Sequence, residues 1–230
     1  MKSSFFHRLH TYVRDTYFRA PATNAAVHAT QKEYPRMQRI QLHDATNIPP
    51  LLHETLRARR SSVQRTGAPI SLSHLSDIFD TSLRLRKSYR PYPSGGGLYP
   101  IEVYCIVSNA TDVAPGVYHY RPDTHELERL WDTPHGESLQ SLINDTDDNP
   151  PSALIVLTAI WERSAAKYSN FAYELALLEA GHIAQNILLC ATALSCESRP
   201  FGGFDAEKIG TILDIDTAVE DVVYTVALSA

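Results

Sequence analysis

The sequence predicts a single α+β domain built on a mainly antiparallel sheet that is flanked by helices. With 230 residues, of which 43% are apolar and 20% charged, the chain is long enough for one substantial globular core. Helical and strand-like segments are mixed without the repeating βαβ order of a parallel sheet. No internal repeat or clean linker divides the sequence, so we assign residues 1–48 to an irregular N-terminal arm and residues 49–230 to the domain.

Two helices are predicted in the first half of the domain. "IPPLLHETLRARRSS" opens with two prolines, which suit a helix start, and places three leucines on one face. It ends in a dense cluster of arginines. "PISLSHLSDIFDTSLRLR" repeats apolar residues at helical spacing, and Ser71 or Ser73 can cap its first turn.

The middle of the chain predicts strands. "IEVYCIV" alternates as a strand does, and "GVYHYRPDTHELERLW" is a hairpin, because two β-type runs flank an Arg-Pro-Asp-Thr turn. "SALIVLTAI" is a continuous apolar run of strand length, which is typical of a strand buried on both faces. We expect His119, His125 and His135, in or near the hairpin, to be solvated.

The last third begins with a helix from Tyr173 to Leu194 that is apolar nearly all round. Such a helix is buried in a core or in a subunit interface, and its polar stripe of Glu179, His182 and Gln185 suits a dimer interface or a direct contact with a ligand. "GGFDAEKIGTILDI" predicts a turn and a short helix capped by Asp205, and "EDVVYTVALS" predicts a closing strand.

Composition and charge exclude several classes. The formal charge of −5, without a basic stripe, argues against nucleic-acid binding. The N-terminus has no apolar core of a secretory signal, and the most apolar run, Ala153–Trp161, is too short to span a membrane. We therefore expect a cytoplasmic protein whose three cysteines are small core residues, namely Cys105, Cys190 and Cys196. His7 and His10 lack a third ligand nearby, so we predict no metal site.

The stretch "RPYPSGGGLYP", residues 90–100, holds three consecutive glycines between prolines. It lacks the Gly-Lys-Ser/Thr end of a P-loop and leads into a strand, unlike a dinucleotide fingerprint, and no Gly-x-Ser-x-Gly elbow occurs. Alone it indicates a structural turn. Together with the diglycine of "RPFGGFD" and the arginine cluster, however, it suits a flat, phosphorylated ligand that accepts backbone hydrogen bonds.

In order, "RRS", "YPSGGGLYPIEVY", "GVYHYRPDTHELERL", "KYSNFAYELALLEAGHIAQN" and "PFGGFD" closely resemble the SagB-type branch of the nitroreductase-like flavoproteins. These are FMN-dependent thiazoline/oxazoline dehydrogenases of peptide natural-product biosynthesis. The resemblance implies a nitroreductase-like fold, a domain-entwined homodimer that pairs through the apolar helix, and bound FMN. It also implies a peptide or carrier-bound azoline substrate, presented by a cyclodehydratase or carrier-protein partner.

The resemblance also implies site residues. An N-terminal Arg-x-Ser would hold the FMN phosphate and the polar edge of the flavin, a Pro-Ser loop would reach the flavin from the opposite subunit, and a diglycine N–H would point at flavin N5. These cofactor-binding residues are Arg59, Arg60 and Ser61; Pro93, Ser94, Gly95 and Gly97; and Gly202 and Gly203. Arg90 is expected to assist phosphate binding, because the basic C-terminal tail of the family does not occur in this sequence.

Lys167 and Tyr168 match the Lys-Tyr pair regarded as catalytic in azoline oxidases. Aromatising an azoline removes a hydride to flavin N5 and a proton from the neighbouring carbon. A tyrosine is a poor base at neutral pH, but an adjacent ammonium favours its phenolate. The plainer interpretation of the pair is a surface lysine beside a half-buried tyrosine.

Departures from the family pattern keep other functions open. Ser169 replaces the usual glycine after the Lys-Tyr pair, Val63 replaces a basic residue, and Phe171 and Glu174 replace arginines. The alternatives are a general NAD(P)H-dependent nitro or flavin reductase, and a degenerate, non-catalytic scaffold subunit of a biosynthetic complex.

Overall fold

The main feature of the computed structural model, which describes residues 32–45, 52–132, 138–143 and 145–230, is a seven-stranded sheet. All of its neighbouring strands run antiparallel, in the order β1-β6-β5-β3-β7-β9-β8. The strands are β1 (Gln38–Gln41), β3 (Ile101–Val107), β5 (Gly116–Arg121), β6 (Glu126–Trp131), β7 (Ala153–Ile160), β8 (Glu197–Phe201) and β9 (Glu220–Ser229). A separate parallel pair joins β2 (Ile70–Ser71) to β4 (Ala110–Thr111). The predicted α+β class is confirmed.

Five α-helices surround the sheet in the described part of the chain. They are α1 (Leu52–Ala58), α2 (Leu72–Ser82), α3 (Glu162–Tyr168), α4 (Ala172–Ala193) and α5 (Ala206–Leu213). Short 3₁₀ turns cover Gly95–Gly97, Leu139–Leu142 and Ser169–Phe171. Two predicted caps are confirmed: the Ser71 side chain accepts from the His74 N–H at 3.0 Å, and Asp205 accepts from the Lys208 N–H at 3.0 Å.

Both faces of the sheet are covered, which explains why its central strands β3, β5 and β7 are buried almost along their whole length. Helices α2 and α4 pack on one face, against residues such as Val103 and Ile155. Helix α5 and the Leu139–Leu142 turn pack on the other face, against residues such as Ile106 and Val156. Strand β7 lies between β3 and β9, as predicted for a strand buried on both faces.

Three elements differ from the sequence prediction. Strand β1 forms within the arm and pairs with β6, although its sequence "QRIQ" has one apolar residue. Strand β8 forms within "ESRPFGGFD", and as an edge strand it tolerates Pro200. Helix α3 follows β7 directly, and its N-cap residue, Trp161, makes no side-chain capping bond.

The prediction that the hairpin histidines are solvated is wrong for His119 and His125, which are both fully buried. The ring of His119 lies between two carboxylates, and the ring of His125 contacts the Tyr120 hydroxyl at 2.9 Å, so both rings have polar partners inside the fold. His7, His10 and His135 lie outside the described residues. All three cysteines are buried and free, as predicted.

One helical segment, Glu162–Ala193, is long and apolar enough to cross a membrane by length and composition alone. Half of its most apolar window is buried inside the fold, and core helices of soluble proteins pass the same test. The segment is therefore weak evidence for a membrane span. The sequence prediction of no membrane segment rested on β7 and did not consider this helix.

Candidate active site

The glycine loop meets the Lys-Tyr pair within one chain. Gly96 has a φ of +65°, and a Cβ added to it would lie 2.7 Å from both the Lys167 Nζ and the Tyr168 hydroxyl oxygen. Any side chain here would strain the backbone and displace both functional groups. The predicted catalytic pair and the predicted loop are thus brought together, and Gly96, which the sequence prediction left out, is the loop residue that contacts the pair.

Helix α3 presents the pair at its C-terminal end. Lys167 is exposed and Tyr168 half-buried. The helix ends at Ser169, which has φ +49° and ψ −136°, a conformation that favours glycine. The chain therefore uses a serine where the backbone needs the glycine of the family pattern.

Arg163 joins the helix of the pair to the loop. Its Nη1 lies 2.5 Å from the Glu102 carboxylate and donates to the Tyr99 carbonyl at 3.1 Å. The Ile160 N–H also donates to the Pro100 carbonyl at 2.9 Å. These contacts connect α3, and the end of β7 before it, to residues 99–102, which follow the glycine loop.

Internal hydrogen bonds shape the loop itself. The Ser94 hydroxyl accepts from the Tyr99 N–H at 2.9 Å, and the Ser94 carbonyl accepts from the Gly97 N–H at 3.1 Å. Helix α4 lies beneath the loop: a Cβ on Gly95 would lie 3.0 Å from the Leu175 Cδ1, and the Asn186 amide donates to the carbonyl of residue 91 at 2.9 Å.

Arg90 lies inside the loop. Its Nη1 donates to the Tyr92 hydroxyl at 2.9 Å, and its guanidinium stacks on the Tyr99 ring at 4.6 Å. Burial opposes its charge, but neighbouring Tyr92 and Glu102, with a further carboxylate on α4, raise the pKa of Arg90 on balance. These partners turn the guanidinium inward, and its predicted contact with a phosphate stays a prediction.

The predicted phosphate-binding segment, Arg59–Ser61, follows α1. Arg59 is half-buried, whereas Arg60 and Ser61 are exposed. The next residue, Ser62, exchanges hydrogen bonds with Ser198 of β8: its N–H donates to the Ser198 carbonyl at 2.9 Å, and its hydroxyl accepts from the Ser198 N–H at 3.2 Å. The segment is thus attached to the strand that leads into Gly202 and Gly203.

A buried ionic chain beneath the site was missed by sequence reasoning. His119 lies 2.8 Å from a Glu102 oxygen and 3.1 Å from a Glu128 oxygen. Burial opposes the charge on both sides, yet the ion pairs with His119 and Arg163 lower the pKa of Glu102 to about 2, and the two carboxylates raise the pKa of His119. Placing His119 on the inward face of β5 would have required knowing that both sheet faces are covered.

Curated proteins from archaea and bacteria resemble this chain in sequence. MJ1384 of Methanocaldococcus jannaschii, named as a nitroreductase, is 30% identical over 179 residues, which cover 76% of this chain and 89% of that protein. The microcin B17-processing protein McbC of Escherichia coli is 34% identical over 134 residues, covering 55% of this chain and 49% of McbC. This chain therefore spans about half the length of McbC.

Solved structures share the fold. A nitroreductase from Anabaena variabilis superposes with a TM-score of 0.77 at 22% identity, covering 95% of this chain and 46% of that one. The E. coli microcin synthetase McbBCD, with truncated pro-MccB17 bound, gives 0.64 at 21% identity, covering 94% and 80%. A nitroreductase in complex with FMN from Desulfovibrio desulfuricans gives 0.53 at 17% identity, covering 79% and 86%. At these identities the similarity shows the fold alone.

The fold implied by the sequence resemblance is thus confirmed, with its antiparallel sheet and flanking helices. Among the described residues no cluster of His, Cys, Asp or Glu could hold a metal ion. Residues 56–229, most of the chain, match the Nitroreductase family as a whole. The chain belongs to the nitroreductase family.

Proposed function

We propose that this protein is an FMN-dependent dehydrogenase that converts a thiazoline or oxazoline to the aromatic azole in a peptide natural product. The observation that carries the proposal is the convergence of Lys167 and Tyr168 on Gly96. A reductase that only passes hydride from a nicotinamide to a nitro group needs no base, whereas azoline oxidation does. The microcin B17-processing protein McbC, similar over about half of its length, supports a role in peptide processing.

The residues present fit FMN. A Cβ on Gly97 would meet no atom within 4 Å, and one on Gly202 would meet only the Tyr224 Cε2 at 4.0 Å. Side-chain packing within the chain therefore requires neither glycine, although the φ of +69° favours glycine at position 97, and both leave backbone open to a ligand. We assign the phosphate to Arg59, Arg60 and Ser61, whose cations and hydroxyl suit it. A solved FMN complex of the same fold supports FMN as the cofactor.

The protein's part of the reaction is to hold the ring and remove a proton. When bound, FMN supplies the two-electron acceptor for the hydride, and an external oxidant such as molecular oxygen takes up those electrons afterwards. Tyr168, as phenolate, takes the proton from the carbon next to the one that loses hydride, and a ring C=C bond forms. The Lys167 Nζ lies 5.4 Å from the centre of the Tyr168 ring, so a positive charge faces the base.

We propose a homodimer that pairs through α4. Tyr173, Leu177 and Leu178 on α4 are 51%, 38% and 59% exposed, and Leu52 and Leu56 of α1 are exposed as well. Large apolar side chains grouped in this way mark an interaction surface. We also infer a cyclodehydratase or carrier-protein partner, in keeping with the McbBCD assembly, and a cytoplasmic location that suits three free thiols.

The test of this function is turnover of a thiazoline peptide by the FMN-loaded protein in air, without nicotinamide. Mass spectrometry should show the loss of two hydrogens from the ring. The competing function is nitro or flavin reduction, which the similarity to MJ1384 over 89% of that protein favours. NAD(P)H-driven nitroarene reduction without azoline turnover would establish that function instead. A colourless protein that cannot be loaded with FMN would indicate a non-catalytic scaffold.

A further inference from the structure

Glu179 of α4 is a buried acid directly beneath the glycine loop. It is 2% exposed, and neither of its carboxylate oxygens has a hydrogen bond of good geometry within the described part of the chain. The Ser94 hydroxyl, the Ile101 N–H and the positive charges of two arginines, Arg90 and Arg163, each lower the pKa of Glu179, against the larger effect of burial. A buried polar group that is incompletely bonded has a cost, so its position calls for a physical reason.

The stripe of α4 that carries Glu179 supports the loop along its length. One turn before it, Leu175 contacts Gly95, and two turns after it Asn186 donates to the backbone at residue 91. Glu179 lies between these contacts, at Ser94. Ser94 in turn accepts the Tyr99 N–H, so the placement of Ser94 sets both sides of the triglycine turn.

The charge state of Glu179 must differ between a closed loop and an open one. Burial raises the pKa of Glu179 to about 7, although Ser94 and the two arginines favour the charged form. If the loop lifts, water reaches the carboxyl group and its pKa falls towards the usual value near 4.5. Because the closed loop binds the proton more tightly, protonation stabilises closure and ionisation favours opening.

We propose that Glu179 is a positioning residue: as a neutral acid it holds the Ser94 side of the glycine loop on α4, and its ionisation loosens the loop that places Gly96 against Lys167 and Tyr168. This proposal rests on the proposed function only in that it treats Lys167 and Tyr168 as an active site. We call this hold of Glu179 on the Ser94 side of the loop the clamp. It involves the polypeptide alone and operates without flavin.

Two arginines, Tyr92 and Glu102 face Glu179 and keep one charge state between pH 6 and 8. His182, one turn further along α4, is exposed and is unchanged in every Glu179 variant, so the variants control for it. Arginine stays cationic, which covers Arg90 and Arg163. Burial raises the pKa of Tyr92 far above this range, so its hydroxyl stays neutral, and the pKa of Glu102 of about 2 keeps that carboxylate charged. His119 contacts Glu102 on the side away from Glu179. A Glu179 variant removes the titration of Glu179 and leaves His119 in place, so comparison with the wild type separates the two.

The test is hydrogen exchange of the Tyr99 amide, which donates to Ser94, measured by NMR on the full chain without FMN and corrected for intrinsic exchange. In the wild type the protection of this amide should fall by up to about tenfold from pH 6 to pH 8. In Glu179→Gln, which keeps a neutral side chain, it should stay constant. Amides of β7 must exchange more slowly, so that Tyr99 reports local opening.

Two further variants complete the test. Glu179→Leu should also remove the pH dependence of Tyr99 protection. It therefore gives the same comparison with the wild type if Glu179→Gln does not fold. Leu175→Ala should lower Tyr99 protection at every pH and keep the pH dependence, because it removes packing without removing the acid. Protection that is flat in the wild type, or that still falls in both Glu179 variants, would overturn the clamp. Neither result depends on FMN binding or azoline turnover, which test the proposed function separately.

Discussion

Gly96 and Tyr168 are in direct contact: a single added carbon on Gly96 would lie 2.7 Å from the Tyr168 hydroxyl oxygen. The two residues come from segments more than seventy positions apart, one before β3 and the other after β7. Adjacent strands of the sheet bring these segments together, because β3 and β7 pair from Ile101↔Ala159 onward. The candidate site is therefore a product of the central strand pair.

The contact predicts different outcomes for two neighbouring glycines. Gly96→Ala and Gly97→Ala impose similar backbone strain, of order 1 kcal/mol, since their φ angles are +65° and +69°. Only Gly96→Ala also clashes, with Lys167 and Tyr168. The exposed Lys167 can swing aside, so the half-buried Tyr168 should account for an added cost of about 1 kcal/mol. Urea unfolding without FMN measures the difference, and equal losses for the two variants would show that the loop does not rest on the pair.

Ser169→Gly should stabilise the protein. Serine at φ +49° and ψ −136° carries strain that glycine does not, and the relief should exceed the added chain entropy by about 1 kcal/mol. Asn170→Gly is the matched control, because residue 170 has no positive φ and glycine there should destabilise by about 0.5–1 kcal/mol. A Ser169→Gly variant that unfolds at lower urea concentration than the wild type would contradict the assigned backbone conformation.

Glu179 predicts a pH dependence of the free energy of unfolding. Its pKa is about 7 when folded against 4.5 ordinarily, so its contribution is fully present below pH 4.5 and is lost as pH rises through 7. Relative to Glu179→Gln, the wild type should lose about 3 kcal/mol across this window. Glu207→Gln, at an exposed position on α5, should leave the pH profile unchanged. Parallel profiles for the wild type and Glu179→Gln would place the carboxyl group in water.

The cofactor assignment predicts that Gly202→Val weakens FMN binding without a steric cost to the free protein, because only Tyr224 lies near the added carbon. Arg59→Ala should weaken binding roughly ten- to hundredfold through loss of a charge-assisted phosphate contact. Arg36→Ala removes an exposed charge in the arm and should have no effect. Fluorescence titration measures all three, and unchanged affinity in both site variants would remove the phosphate and flavin from these positions.

Much of the fold followed from local signals. Ser71 and Asp205 were predicted as caps because their side chains bond within one turn, and β7 was predicted because burial on both faces leaves a continuous apolar run. Helix α3 was not predicted, because it has no capping side chain and its seven residues, about two turns, show little of the helical period. The four-residue strand β1 depends on its partner β6, which no local pattern reveals.

The candidate site, like the fold, was predictable only where a local motif marked its residues. The Lys-Tyr pair and the glycine loop were predicted from motifs, and so were the arginines after α1. The roles of Arg163 and Glu102 depend on contacts between α3 and β3, distant in sequence, and sequence alone carries no signal for that pairing. Gly96 was left out because only its closeness to Lys167 and Tyr168 distinguishes it from its neighbours.

The central claim is that Tyr168 removes the substrate proton with Lys167 beside it. Anaerobic stopped-flow with a thiazoline peptide, following flavin bleaching, tests it most directly in the FMN-loaded protein. Tyr168→Phe should keep FMN yet slow substrate-driven reduction by about 10²-fold or more. Lys167→Ala should do similar damage, and the double variant should be little worse, because residues that act as a unit are not additive. Reduction by dithionite, which needs no protein base, should be unchanged in all three. Wild-type rates of substrate-driven reduction in Tyr168→Phe would contradict the account.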